Sequence, residues 1–194
     1  MPTLALPLIV LFVALTRLVP HPPNFAAVGA LALFAGYTSR SALGMVFPLI
    51  ALLISDLLGH LLAVPGMGFY GIVGMGTVYG SFFLVSLIGR ATVTQTARAG
   101  HRAWVVGSLA ASSVAGATVF FLVSNFGVFL GGMYPPTWSG LASCYLAALP
   151  FFTNTLAGDL FYSLLLFGTA WSLGKVNRTG LTRPDLAVLA KFAE

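Results

Sequence analysis

The chain has 194 residues, of which 58% are hydrophobic and only 7% are charged, and its mean hydropathy is +0.98. Soluble domains carry roughly 25% charged residues, so this chain has too few charges to cover a surface exposed to water. The composition therefore predicts an integral membrane protein. The net charge of +5 does not indicate nucleic-acid binding, because the nine basic residues are few and scattered. With one cysteine, Cys144, an internal disulfide bond and a multi-cysteine metal site are excluded.

The apolar runs are continuous and rich in Ala, Leu and Gly, which is typical of membrane-spanning helices. At about 20 residues per span, the chain predicts an all-α, polytopic bundle of about six transmembrane helices without a soluble domain. Residues 1–174 form this single bundle, and residues 175–194 form a polar tail. In chain order, the predicted spans are 1–19, a short span at 24–36 that Asn24 caps, 42–63, 67–88, 103–123 and 154–173.

The stretch from residue 124 to residue 162 is apolar but interrupted. Tyr134, Pro135 and Pro136 form a rigid turn, and Pro150 follows a short apolar segment, residues 140–149, that cannot cross a membrane alone. Irregular backbone at membrane depth is tolerated only where it is buried in protein or lines a cavity. This stretch therefore predicts a broken or re-entrant segment before the last helix, which would close one side of a pocket.

The basic residues predict the orientation of the bundle. With a cytoplasmic N-terminus, eight of the nine Lys and Arg residues face the cytoplasm, and only Arg17 lies at the outer end. Both termini and the tail are then cytoplasmic. The polar residues of the apolar segments fall in the outer half, although they took no part in this assignment. They form the predicted substrate-binding set: Arg17, His21, Asn24, Asp56, His60, Asn125, Tyr134, Trp138, Asn154, Asp159 and Tyr162.

Within this set, Asp56 and His60 share one helix face, and Asp159 shares another with Thr155 and Tyr162. A buried acid in a membrane needs a partner, so we expect Arg17 to pair with Asp56 or Asp159. Such a pair either contributes to a ligand site or only fastens helices together. A metal site lacks the usual His and Cys spacing, and no nucleophile stands beside a plausible base. The sequence therefore predicts neither an enzyme nor a resident metal or cofactor.

Several segments carry a family resemblance: RLVPHPPNF (17–25), ALALFAG (30–36), SDL (55–57), FLVSNFG (121–127) and residues 134–167. They resemble a bacterial family of small, uncharacterised multi-pass proteins of the inner membrane. That family is similar in layout to the substrate-binding S components of energy-coupling-factor vitamin transporters. The resemblance implies six helices, cytoplasmic termini and an extracellular-side pocket closed by loops one, three and five, here residues 19–24, 64–67 and 124–153.

The resemblance also implies a function and partners. The chain would bind a small vitamin- or cofactor-like molecule and would dock on a shared transport module in the bilayer. A solitary transporter of the kind proposed for cobalamin is an alternative, in which His21, His60 or Cys144 would ligate cobalt. A second alternative is a non-catalytic accessory or structural subunit of a larger membrane complex. The glycine and alanine faces of its helices would then form the contacts.

Overall fold

The computed structural model describes residues 5–39, 42–65, 67–69, 71–99 and 102–172. These residues form helices and connecting turns, without a strand in any of the described ranges. The helices are α1 (Ala5–Thr16), α2 (Val28–Thr38), α3 (Phe47–Leu61, preceded by a 3-10 turn at Ala42–Val46), α4 (Ile72–Ala99), α5 (Arg102–Leu130) and α6 (Trp138–Ser172). The predicted all-α bundle of six helices is confirmed. The predicted tail from residue 175 lies outside the described residues.

Three helical segments are long and apolar enough to cross a membrane: Leu43–Leu61, Ile72–Thr92 and Trp104–Leu130. They indicate a membrane protein. The helices α1 and α2 are also apolar but have only 12 and 11 residues. The bundle therefore combines long helices with short ones.

The short helix α2 occupies the middle of the bundle. Every residue from Val28 to Tyr37 is buried, and the helix packs against all the other helices. A helix that is apolar on all its faces has no side suited to water, which accounts for this position. Asn24 does not cap α2, contrary to the prediction. Its backbone adopts the left-handed conformation with φ of 65°, and Ala27 holds the cap position without a side-chain hydrogen bond.

Glycines allow α2 to approach its neighbours closely. Gly36 lies against the backbone carbonyl of Ser86 on α4, and Gly89 on α4 lies against the carbonyl of Leu33. A methyl group at either glycine would overlap a main-chain oxygen, which cannot move aside. Close packing through small residues is the usual way in which membrane helices associate, since lipid supplies no hydrophobic force between them.

The predicted break before the last helix is wrong. Helix α6 runs without interruption from Trp138 to Ser172 and includes Pro150. The helix α5 likewise extends to Leu130, so the irregular loop covers only residues 131–137. One proline removes a single backbone hydrogen bond, whereas a break in a membrane would leave a whole turn of polar backbone groups without partners. The continuous helix is therefore the less costly arrangement.

Candidate functional site

A cavity of about 620 Å³ lies at the end of the bundle where α1 ends, α2 begins and α3 turns into α4. We call it the large cavity. Its walls come from the α1–α2 connection, the α3–α4 turn and the facing sides of α2, α4, α5 and α6. Its lining includes Arg17, Leu18, His21, Asn24, Gly29, Leu52, Val64, Met67, Val78, Phe82, Phe120, Thr155 and Asp159.

Arg17 follows the last turn of α1 and points toward α3. Its Nη1 atom donates to the Oδ1 atom of Asp56 at 2.7 Å, and also to the hydroxyl of Ser55 and the carbonyl of Leu52. The sequence left open whether Arg17 pairs with Asp56 or Asp159, and the structure shows the pair with Asp56. The side chain of Asp56 is completely buried, whereas that of Arg17 keeps 18% of its surface exposed at the cavity.

The second oxygen of Asp56 also has a partner. The hydroxyl of Tyr79 on α4 donates to the Oδ2 atom of Asp56 at 2.9 Å. Asp56, on α3, thus accepts one hydrogen bond from the α1–α2 connection and one from α4. Both of its carboxylate oxygens therefore have a donor. Tyr79 was not among the residues predicted from the sequence. A single phenol within an apolar helix is the only signal that could have indicated it, because the contact depends on the rotation of α4 against α3.

Asp159 on α6 has a different environment. It is only 3% exposed and lines the large cavity one turn after Thr155, which is also buried. Its carboxylate lies directly against Gly29 in the first turn of α2, where any side chain would overlap it. Within the part of the chain that the structure describes, Asp159 makes no hydrogen bond or ion pair. It is therefore a buried acid that faces a cavity without a protein partner.

Two further predicted residues lie at the large cavity. His21 is half-buried, and its Nδ1 atom lies 2.8 Å from the carbonyl oxygen of Pro22. Asn24 is exposed, and asparagine is among the few non-glycine residues that tolerate its left-handed backbone. Asn154 on α6 donates to the carbonyl of Pro23 at 3.0 Å. This hydrogen bond holds the α1–α2 connection against α6, so Asn154 positions the wall of the cavity.

A second space of about 380 Å³, the small cavity, lies between α4, α5 and α6. The two cavities share Asn24, Val78, Phe120 and Thr155, so they adjoin one another. Asn125 lines the small cavity, but its amide donates to the carbonyl of Phe121 on its own helix at 2.7 Å. Gly131 and Met133 bring the loop after α5 to the same space.

A family model with the description "Family of unknown function (DUF6580)" matches residues 1–180. The chain belongs to this family. No curated protein and no solved structure matches the chain. The resemblance to an uncharacterised family is thereby confirmed, and the similarity to S components receives no support from these comparisons.

The remaining predicted residues of this DUF6580 protein do not lie in either cavity. His60 is exposed on the last turn of α3 and contacts the ring of Phe69 edge-on. Tyr134 lines a separate shallow pocket of the loop 131–137, and Trp138 is 87% exposed at the start of α6. Tyr162 is half-buried; it packs against the ring of Phe25 and against the edge of the hydrophobic core. The eleven residues of the predicted substrate-binding set thus do not form one cluster. Several of them are not covered by a neighbouring helix, and others lie on a different side of their own helix.

The described part of the DUF6580 chain contains no cluster of metal-ligating side chains. No three His, Cys, Asp or Glu side chains within it lie close enough to hold a metal ion. Of the three residues considered for cobalt, Cys144 is buried between α5 and α6, where its thiol donates to the carbonyl of Asn125 at 3.4 Å. His21 lines the large cavity and His60 does not. The large cavity therefore offers a guanidinium, a carboxylate, an amide and one imidazole, which are groups for hydrogen bonding and charge pairing.

Proposed function

We propose that this DUF6580 protein is a membrane-embedded binding and uptake protein that holds a small molecule in the large cavity. The observation that carries the proposal is the buried carboxylate of Asp159, which faces this cavity without a protein partner. An intramembrane acid is costly to bury, so it marks a substrate or ion pathway more often than a purely structural position.

The size and lining of the cavity support this proposal. Small-molecule sites commonly measure roughly 300–1,000 Å³ and combine apolar walls with a few polar groups that fix the orientation of the ligand. The large cavity has a volume of about 620 Å³. Leu52, Val78 and Phe82 supply apolar wall, while Arg17 and Asp159 supply charge. No reaction is part of the proposal, because no nucleophile lies beside a base in this lining.

The placement of the cavity supports entry from outside the cell. In the orientation that the basic residues favour, the connections after α1, α3 and α5 face outward, and both termini are cytoplasmic. The first two connections line the large cavity, and the third lines the small cavity that adjoins it. The same three loops close the pocket in the S-component layout, and the ligand is accordingly a vitamin- or cofactor-like molecule taken up through the bacterial inner membrane.

Native mass spectrometry of the protein purified in mild detergent tests the proposal. We expect a small molecule to co-purify with the wild-type chain. Val78→Trp should remove it, because Val78 lines both cavities and the indole would fill them. Val73→Trp is the matched control, since Val73 lies on the same helix, is exposed, and lines neither cavity. A ligand that remains bound to the Val78→Trp protein would contradict this site.

The accessory-subunit alternative rests on a different surface. Gly76 and Gly80 on α4 have open space where a side chain would point, so this small-residue face has no neighbour within the described residues. Faces of this kind allow close contact with another membrane helix. A stoichiometric protein partner in the same spectra, together with the absence of any small molecule, would favour this alternative over uptake.

A further inference from the structure

We infer that the ligand of the large cavity is an organic cation whose charged nitrogen pairs with Asp159. This inference rests on the proposed function, because it names the chemical class of the molecule that the cavity binds.

The charges around the cavity determine the class of ligand. Among the residues that the structure describes, Arg17 and Asp159 are the charged side chains of the lining. Arg17 is neutralised by Asp56, which accepts from its Nη1 atom at 2.7 Å and is itself completely buried. Asp159 has no such partner. The ion pair therefore cancels, and Asp159 is the acid of the described lining that is left without a protein partner.

Burial among apolar walls opposes the charged form of Asp159, and a cationic ligand would offset that cost. Its carboxylate lies against Gly29, in the first turn of α2. The first turn of a helix exposes backbone N–H groups without intrahelical partners, and it carries a partial positive charge that stabilises an anion. A helix end supplies only a fraction of one charge. It therefore offsets only part of the cost of a buried carboxylate, and a cationic ligand would balance the rest.

The rest of the wall indicates an organic cation rather than a metal ion. Leu52, Phe82 and Phe120 line the space, and the rings of Phe82 and Phe120 stack with centroids 4.8 Å apart. A metal ion needs several oxygen, nitrogen or sulfur ligands, and no such cluster exists in the described residues. Aromatic and aliphatic walls instead suit the carbon body of an amine, and aromatic faces also attract cations.

Binding of a matched set of probes tests the inference. Tryptamine, tryptophol and indole-3-acetate have the same ring system but carry an ammonium, a hydroxyl and a carboxylate. We expect the purified full-length protein to bind tryptamine about tenfold or more tightly than tryptophol, since hydrogen bonds to charged groups exceed neutral ones by that order. Indole-3-acetate should bind more weakly still. Dissociation constants from isothermal titration calorimetry measure these ratios.

Asp159→Asn should abolish the preference for tryptamine over tryptophol. Ser163→Ala is the matched control and should keep it. Ser163 lies one turn further along α6, is buried, and contacts Ser113 rather than the large cavity. The co-purifying molecule gives a second, independent readout, because its mass and fragmentation show whether it contains a cationic nitrogen.

The possible results separate this inference from the proposed function. Equal affinity for tryptamine and tryptophol, or a co-purifying molecule without a cationic group, would overturn the inference of a cationic ligand. The proposed uptake function would be unaffected by either result. An unchanged preference in Asp159→Asn also overturns it. If no probe binds and nothing co-purifies, both the inference and the proposed function fail.

Discussion

Two buried aspartates illustrate how the same side chain serves two purposes in one bundle. Asp56 has a partner on each oxygen, from Arg17 and Tyr79, and joins the end of α1 to α3 and α4. Asp159 has no protein partner and faces the large cavity. A satisfied buried ion pair contributes to a unique arrangement of helices, whereas an unpaired acid inside a membrane bundle is the usual mark of a functional position. Under the proposed function, Asp56 therefore serves the structure and Asp159 serves binding.

Arg17→Ala should lower the free energy of unfolding by about 3–5 kcal/mol, because it leaves the completely buried Asp56 without its counter-charge. Asp56→Ala should cost less, since Arg17 is partly exposed and its guanidinium can reach the cavity. Tyr79→Phe should cost roughly 1.5–3 kcal/mol, the value of one hydrogen bond to a charged group. Unfolding of the purified protein by titration with a denaturing detergent, followed by circular dichroism, measures the three values.

A different result would assign Arg17 to the ligand. If Arg17→Ala left the stability of the protein unchanged and removed only ligand binding, then the ion pair would not fasten the helices. Ser163→Ala provides the reference for the loss of one buried polar contact elsewhere in the bundle, between Ser163 and Ser113.

The individual side chains show what the sequence could predict. The need of a buried acid for a partner limited Arg17 to two candidates, but the choice between them depended on how the helices rotate against each other. The same rotation placed Tyr79 beside Asp56 and Tyr162 at the edge of the core. Spacing along one helix indicates which residues share a face. It does not indicate which neighbour that face meets.

Helix α2 depends on glycines at its contacts with α4. Gly36 meets the carbonyl of Ser86, and Gly89 meets the carbonyl of Leu33, so the two backbones touch without intervening side chains. Other glycines of α4, such as Gly76 and Gly80, have open space around them. On α4, glycine therefore allows a close backbone contact at one place and leaves open space at another.

Gly36→Ala should destabilise the protein by about 1–3 kcal/mol or more, because its methyl group would force the backbones of α2 and α4 apart. Gly76→Ala should have the opposite effect and stabilise the purified protein by roughly 0.5–1 kcal/mol, since alanine favours a helix over glycine. Thermal melting of both variants in detergent checks the sign. Equal melting temperatures for the two variants would contradict the close α2–α4 contact.

The helices themselves were more predictable than their ends. Continuous apolar runs correctly indicated six helices, because burial in a membrane requires long stretches without charge. The turn at residues 134–136 was correctly recognised as irregular, but Pro150 was not a break. The rule that proline ends a helix comes mostly from helices in water, where backbone groups without a helical partner can form hydrogen bonds with solvent. In a membrane, continuation of the helix is favoured.

Among the described residues, the large cavity lies near the start of α4 and the second half of α5, away from the end of α4 and the start of α5. The sequence between residues 90 and 102 is basic. Under the positive-inside rule, we expect that cavity to face the outer side of the membrane. Uptake requires this orientation, because a ligand must enter from outside before it is released inward.

Cysteine labelling tests the orientation. In a Cys144→Ala background, a Ser139→Cys variant should react with a membrane-impermeant maleimide on intact cells, since Ser139 is exposed at the start of α6. Gly100→Cys, in the basic segment of the sequence, should react only after the cells are permeabilised. The reverse pattern would place the large cavity on the cytoplasmic side and would contradict uptake from outside.

The shortness of α2 has an electrical consequence. Its 11 residues extend about 16 Å, roughly half of the 30 Å hydrocarbon thickness of a bilayer. With water in the large cavity above α2, most of the transmembrane voltage would fall across the layer that α2 fills. A cation at Asp159 would reach its site almost without sensing that voltage, whereas its inward release past α2 would be driven by about 2.3 kcal/mol for each 100 mV. Under the proposed uptake of a cation, a negative cell interior would thus favour inward transport.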